Sequence, residues 1–189
     1  MVTARLKRGA AVLGGALALA AVLAGCGDGD DKPSEAASTP APATSSADPQ
    51  AAEKRAVLAA FDAMWAERTK AYAKADAKGT QLEKYATLDA LGRIRIDLAR
   101  MREAGTVVRG ESSIEDTTVT ALDLTPKTPK ASVSTCVDLS EYERYSTRKK
   151  AVIPLPSEQP RRYVATATLE KWPGGWIVTT YKPEGARSC

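Results

Sequence analysis

The chain has 189 residues, is 43% hydrophobic with 5% aromatics, and carries 27 Lys+Arg against 23 Asp+Glu for a net charge of +4. Three of those cations, Arg5, Lys7 and Arg8, sit at the N-terminus; taking these 3 from 27 leaves 24 against 23 acids, about +1, a balance that argues against the clustered basic face nucleic-acid binding needs. The sequence contains no histidine, which removes the usual general base near neutral pH, the commonest zinc ligand and every Ser-His or Cys-His nucleophile.

Arg5, Lys7 and Arg8 form a positive segment, and no charge follows from Gly9 to Gly27. The apolar stretch Ala10 to Leu23 is about 14 residues, the length of a signal-peptide core and short of the ~20 a spanning helix needs. Leu23-Ala24-Gly25-Cys26 then resembles the bacterial lipobox: a long apolar residue, two small residues and a cysteine. The resemblance implies diacylglyceryl transfer to the Cys26 thiol, cleavage between Gly25 and Cys26, and acylation of the new terminus. Residues 1–25 are therefore expected to be a lipoprotein signal peptide. The mature chain is expected to be extracytoplasmic, lipid-anchored to the outer face of the cell membrane. Each buried acyl CH₂ contributes about 0.8 kcal/mol, so two or three chains hold a protein stably.

From Cys26 to Gln50 the sequence reads as a lipidated cysteine followed by a disordered linker. Gly27 to Gln50 contains Pro33, Pro40, Pro42 and Pro49 and no Val, Ile, Leu, Phe, Met, Trp or Tyr. Such a segment cannot bury enough apolar surface to offset its ordering entropy.

A folded domain is expected over 51–189. Ala51 to Ala77 reads as a helix, free of Gly and Pro, with Val57, Phe61, Met64, Trp65, Arg68 and Tyr72 close to one face; Asp48 and Pro49 suit its start. Leu82 to Tyr85 reads as a short helical turn. Thr87 to Ala104 reads as a helix with Leu88, Leu91, Ile94, Leu98 and Met101 along a stripe, stopped by Gly105. The composition then shifts to Val, Thr, Tyr and Trp, with alternation that predicts strands over 106–112, 117–124, 131–137, 163–172 and 176–181. Trp172-Pro173-Gly174-Gly175-Trp176 is expected to turn a hairpin, and the stretch between Tyr145 and Arg162 reads as a long polar loop. Helices followed by an antiparallel run of strands make an α+β domain.

Phe61-Asp62-Ala63-Met64-Trp65, Lys84-Tyr85-Ala86-Thr87, Val107-Val108-Arg109-Gly110, Ser134-Thr135-Cys136-Val137-Asp138, Ala167-Thr168-Leu169-Glu170 and Gly174-Gly175-Trp176 carry a resemblance over most of 51–189. The chain resembles a group of actinobacterial lipoproteins and secreted proteins with a nuclear-transport-factor-two-like domain. That resemblance implies N-terminal helices packed into one strongly curved antiparallel sheet, a cone with an internal pocket. It implies fold and location and no particular activity.

With Cys26 taken by lipid, Cys136 and Cys189 are the two remaining thiols in an oxidising compartment, and a disulfide between them is expected. The loop from 136 to 189 spans about 53 residues, for which chain entropy gives roughly 4 kcal/mol as an upper figure. Two cysteines and no histidine cannot fill a tetrahedral zinc site, and no metal or other cofactor is expected.

Trp65, Arg68, Tyr72, Asp138 and Tyr142 are the candidate pocket residues. The first three share a helix face; Asp138 on a strand and Tyr142 beyond it can reach a pocket mouth. Arg93, Arg95, Arg100 and Arg102, interleaved with Asp97 and Glu103, read as a solvated face. Arg144, Arg148, Lys149, Lys150, Arg161 and Arg162 form a basic loop pair able to touch anionic headgroups or wall polymers. No catalytic constellation emerges. The leading expectation is a non-catalytic envelope module that binds a protein or wall polymer. The second is a pocket protein for a small apolar or amphipathic molecule, with Trp65 and Tyr72 as walls, and the third a histidine-free lyase, isomerase or hydrolase centred on Asp138. A pocket plugged by Phe61, Trp65 and Tyr72 favours the first, a deep apolar pocket without Asp138 the second, and a deep pocket with a buried, unpaired Asp138 the third.

Overall fold

The computed structural model describes residues 49–189. The expected signal peptide, Cys26 and nearly all of the expected linker lie outside the described residues. Three helices come first: α1 (Pro49–Tyr72), α2 (Leu82–Tyr85) and α3 (Leu88–Ala104). Seven strands follow: β1 (Thr106–Gly110), β2 (Ser113–Asp123), β3 (Lys130–Asp138), β4 (Tyr142–Ser146), β5 (Ala151–Ile153), β6 (Arg162–Trp172) and β7 (Gly175–Glu184). The domain is α+β, with a four-stranded antiparallel sheet ordered β2-β3-β6-β7 and a three-stranded antiparallel sheet ordered β1-β4-β5. The helices packed on antiparallel strands are consistent with a cone-like α+β architecture.

Pro49 opens α1 where its missing N–H breaks no helical bond. The predicted face is the buried one: Val57, Phe61, Met64, Trp65 and Tyr72 all point into the core. The helix stops at Tyr72, five residues before the predicted end. Asp76 N–H donates to the Ala71 carbonyl and Ala75 N–H to the Tyr72 carbonyl, with Ala75 left-handed at φ 53°. This is the glycine-type helix stop built on an alanine, so composition held no sign of it. α2 matches its expected bounds. α3 starts one residue late, Thr87 being its N-cap, and ends at Gly105, left-handed at φ 65° and ψ 45°. Ile94 and Leu98 are buried, but Leu88 is 63% exposed. Leu88 has φ 47°, outside helical values, so the helical period does not carry its side chain into the stripe.

The inner face of the larger sheet follows period two. Ala131, Val133 and Val137 on β3, and Ala165, Ala167 and Leu169 on β6, are buried against α1 and its neighbours. Bulges interrupt β2 at Glu115/Thr118 and Val119/Ala121, and the β6–β7 pairing at Thr168/Leu169. Each bulge bends its strand and sharpens the local twist. The Trp172-to-Trp176 turn forms as expected, with Trp172 opposite Gly175.

Two expectations are corrected. The strands do not form one sheet, because β4 returns to β1, with Thr106 opposite Ser146 and Gly110 opposite Tyr142, and so starts a second sheet. The segment after Tyr145 is not all loop, since β4 runs on to Ser146 and β5 pairs with it from Ala151 to Ile153. Tyr142-Glu143-Arg144-Tyr145-Ser146 lacks aliphatic residues, so its strand character comes from pairing with β1 rather than from its own pattern.

The C-terminal tail folds back along β6, Val164 N–H donating to the Arg187 carbonyl at 2.8 Å. Cys189 is joined to Cys136 with a Cα–Cα distance of 5.9 Å. The disulfide expected from the cysteine count is thus the pairing the fold brings together.

Candidate functional site

Trp65, Arg68 and Tyr72 are spaced three and four residues apart on α1, so one helix face carries all three. The Arg68 guanidinium packs on both rings, its Cζ 4.6 Å from the Trp65 centroid and 4.4 Å from that of Tyr72. Tyr181 of β7 supplies a third ring at 5.7 Å and tilts against Trp65 with centroids 6.0 Å apart. Stacked aromatic faces hold a guanidinium by cation–π attraction, about 0.5–1 kcal/mol each when exposed and more when desolvated.

Hydrogen bonds anchor the cluster. Trp65 Nε1–H donates to the Ser112 carbonyl at 2.9 Å, tying α1 to the turn between β1 and β2. Tyr72 Oη–H donates to Asp97 Oδ2 at 2.7 Å, tying α1 to α3. Burial pushes the Tyr72 phenol up to about 12 and raises Tyr142 and Tyr181 as well. All three are neutral hydroxyls near pH 7.

A hollow of about 300 Å³ opens onto this cluster, with Trp65, Arg68 and Tyr72 on one wall, Met101 of α3 on another, and Leu139 and Tyr142 beyond β3. Leu155, Gln159 and Tyr163 complete the side toward β6, and Arg100 and Arg144 stand exposed at the rim. A second hollow of about 240 Å³ shares Arg68, Tyr72, Asp97 and Arg100 and reaches Tyr181, whose hydroxyl is buried with no hydrogen-bond partner among the described residues. Among the described residues no carboxylate forms a salt bridge with Arg68, Arg100 or Arg144.

Four of the five sequence-nominated residues meet here: Trp65, Arg68, Tyr72 and Tyr142. Asp138 does not. Its Oδ1 accepts the Ser140 N–H at 2.7 Å and its Oδ2 accepts Arg162 Nη1–H at 2.5 Å, both of which hold its carboxyl below the usual range. It borders a separate acidic surface with Glu111, Glu115 and Glu141. The parity of β3 explains this: Val137 faces the core, so Asp138, one residue on, faces away. An ionised, paired and turn-fixing Asp138 is not poised as an acid or base. Among the described residues no group of three or more Asp, Glu or Cys is disposed to hold a metal ion.

Sequence reasoning missed Asp97, Tyr163 and Tyr181 as site residues, and placed Arg100 on a solvated face. Tyr163 was within reach, since it shares the odd-numbered inward parity of Ala165, Ala167 and Leu169. Asp97 and Arg100 flank the Ile94–Leu98–Met101 stripe, where a helix edge meets a cavity rim. Tyr181 left no local signal. Trp176 and Val178 set an even inward parity on β7, and the bulge at Thr179 reverses it.

Two cations of the basic loop pair are engaged internally. Arg148 Nη2–H donates to the Glu103 carbonyl at 2.6 Å, and Arg162 pairs with Glu115 as well as Asp138. On α3, Arg93 pairs with Asp89, Arg95 with Glu83, and Arg102 donates to the Ala75 carbonyl.

No protein-family model matches the chain, and no curated protein matches it in sequence. Among solved structures, the intermembrane space region of the chloroplast protein ARC6 superposes with a TM-score of 0.51 at 11% identity, covering 72% of this chain and 97% of that one. The Kfla4162 protein from Kribbella flavida gives 0.44 at 14% identity over 68% and 90%, and Aln2 from a Streptomyces species gives 0.35 at 14% over 74% and 93%. The first of these likenesses is one of fold alone.

Proposed function

We propose that this chain is a lipid-anchored, extracytoplasmic pocket protein of the nuclear-transport-factor-two-like class that binds a small amphipathic molecule without transforming it. One observation carries the reading: the hollow beside Trp65, Arg68, Tyr72 and Tyr142 is open, at about 300 Å³. Phe61 lies in the core, fully buried, and does not line the hollow. A concave hollow of this size is at the small end of the range for small-molecule sites, and its mixed lining, aromatic and aliphatic side chains beside charged and hydroxyl groups, suits an amphipathic molecule. Asp138, paired and turned away, supplies no acid or base to it, which disfavours the enzymatic reading. The internal engagement of Arg148 and Arg162 weakens the reading in which a basic loop docks a wall polymer.

The anchoring half of the proposal rests on the Leu23-Ala24-Gly25-Cys26 pattern behind a charged and then apolar leader. Among the described residues no helix is long and apolar enough to cross a membrane. Palmitate labelling of cells producing the chain and its Cys26→Ser variant tests the anchor: label on the parent and none on the variant is expected, and label on both refutes it. Native mass spectrometry of the chain isolated from its own envelope tests the pocket. A bound small molecule, lost from a Tyr142→Ala, Leu139→Ala variant, supports it; a ligand-free mass together with no response to any amphipathic probe counts against it.

A further inference from the structure

Arg68 is the deepest cation of the hollow, and among the described residues no carboxylate forms a salt bridge with it; Asp97, in the same lining, is engaged by the Tyr72 hydroxyl. An arginine keeps its proton in a protein, so a full positive charge is carried to the cavity wall. Its surroundings are the rings of Trp65, Tyr72 and Tyr181, and the hydroxyl of Tyr72 is already committed as a donor to Asp97. Ring faces and the Tyr72 oxygen hold the guanidinium, and its remaining N–H groups are left for an in-plane acceptor, the donors with which arginine takes a carboxylate. Elsewhere in this chain half-exposed arginines find carboxylates: Arg162 has two and Arg93 has one. A desolvated cation without a salt-bridge partner is costly, and the space beside the Arg68 guanidinium is the cavity.

The rest of the hollow agrees. Among the described residues, Arg100 and Arg144 stand at the rim without salt-bridge partners and Asp97 is the single acid in the lining. Tyr142 and Tyr163 also line the hollow, and the Tyr181 hydroxyl is buried at the adjoining one with no hydrogen-bond partner among the described residues. Met101, Leu139 and Leu155 give an apolar wall away from Arg68. We infer that the ligand of this site is a small amphipathic organic acid, its carboxylate seated on the Arg68 guanidinium and its apolar body lying against Met101, Leu139 and Leu155. Arg100 and Arg144 raise the local concentration of anions at the entrance. The inference rests on the pocket reading proposed above and specifies its ligand class.

The test uses the full chain in lipid nanodiscs, with empty nanodiscs as the blank, titrated with 4-phenylbutyrate and with its neutral near-isostere 4-phenylbutyramide and followed by calorimetry. The acid is expected to bind at least tenfold more tightly than the amide. In Arg68→Gln that preference should collapse toward one, and in Arg68→Lys, which keeps the charge and loses the fork, it should fall to an intermediate value. Equal binding of acid and amide to the parent chain overturns the inference and leaves the pocket reading standing. Binding of neither overturns both. Should Arg68→Gln not fold, the parent chain still decides: the preference for the acid must fade as pH drops through the pKa of the probe, about 4–5, and a pH-independent preference refutes the carboxylate contact.

Discussion

At the scale of single residues, chemistry and backbone geometry pull apart positions that look alike in sequence. Tyr72 and Tyr181 both flank Arg68, but Tyr72 donates to Asp97 while the buried Tyr181 hydroxyl has no hydrogen-bond partner among the described residues. A typical buried hydrogen bond is worth about 1 kcal/mol, and leaving its acceptor unpaired costs about 1–3 kcal/mol. Tyr72→Phe should therefore destabilise the chain by about 1–2 kcal/mol in urea unfolding, whereas Tyr181→Phe should be neutral or slightly stabilising. The same Tyr181→Phe change should weaken binding of an acid that reaches that hydroxyl. Gly110 ends β1 at φ 69°, and a Cβ there would lie 1.8 Å from the Glu141 carbonyl oxygen. Backbone must shift to admit it, so Gly110→Ala should lose about 3 kcal/mol by chemical denaturation. An unchanged midpoint would mean that the β1–β4 crossing is not as close as described.

At the scale of elements, a few polar and covalent ties decide how helices and strands are joined. Glu67 is buried on α1; its Oε1 pairs with Lys70 at 2.7 Å and its Oε2 accepts the Gln81 N–H at 2.7 Å, fixing the connection into α2. Lys70 first, and then the Gln81 amide, hold its carboxyl below the ordinary glutamate range. A depressed folded pKa means that the stabilisation is fully present above the unfolded value, about 4.3, and is lost as pH falls through the depressed one. A charge-assisted bond of this kind is worth about 1.5–3 kcal/mol. Glu67→Gln should lower stability at pH 7 and flatten the acid-side loss of stability, read from urea midpoints between pH 7 and about pH 3; an unchanged acid slope would remove Glu67 from that role. The Cys136–Cys189 bond holds the tail along β6 across a sequence separation of 53. Cys189→Ser should cost about 2–4 kcal/mol under oxidising conditions, and the parent chain under reductant should match it.

At the scale of the whole molecule, a small-residue sheet face and two sheets in place of one account for the hollow. α1 comes closest to the four-stranded sheet at its outer strands β2 and β7, with the small buried residues Ala131, Ala165 and Ala167 on the central strands between them, and the β1-β4-β5 sheet brings Tyr142 and Arg144 up to the gap between α1 and α3. A ligand that fills this gap binds only the folded chain. An organic acid at about a hundred times its dissociation constant should raise stability by about 2.7 kcal/mol, seen as an upward thermal shift in the parent and a markedly smaller one in Arg68→Gln. A shift of equal size in both would detach Arg68 from the ligand.

Legible in the residues alone were the α+β class, the buried face of α1, the bounds of α2, the stop of α3 at Gly105, the hairpin at Pro173-Gly174 and the Cys136–Cys189 pairing. These are local or arithmetic signals: helical and strand periods, glycine where φ is positive, and two thiols left over from three. The same local logic brought Trp65, Arg68 and Tyr72 together, because one helix face is set by spacing. What those residues face was settled by packing. Asp138 turns out of the pocket because strand parity is set by which face meets α1. Tyr181 turns in because a bulge at Thr179 reverses that parity. β4 becomes a strand because β1 offers it an edge. That Arg68 has no salt bridge among the described residues is likewise invisible in sequence, where acids lie nearby at Asp62 and Glu67; in the fold Asp62 is exposed, Glu67 is taken by Lys70 and Gln81, and Asp97, which shares the hollow, is taken by Tyr72. Charge balance along a chain says nothing of charge balance in a cavity, because only packing chooses which side chains share one.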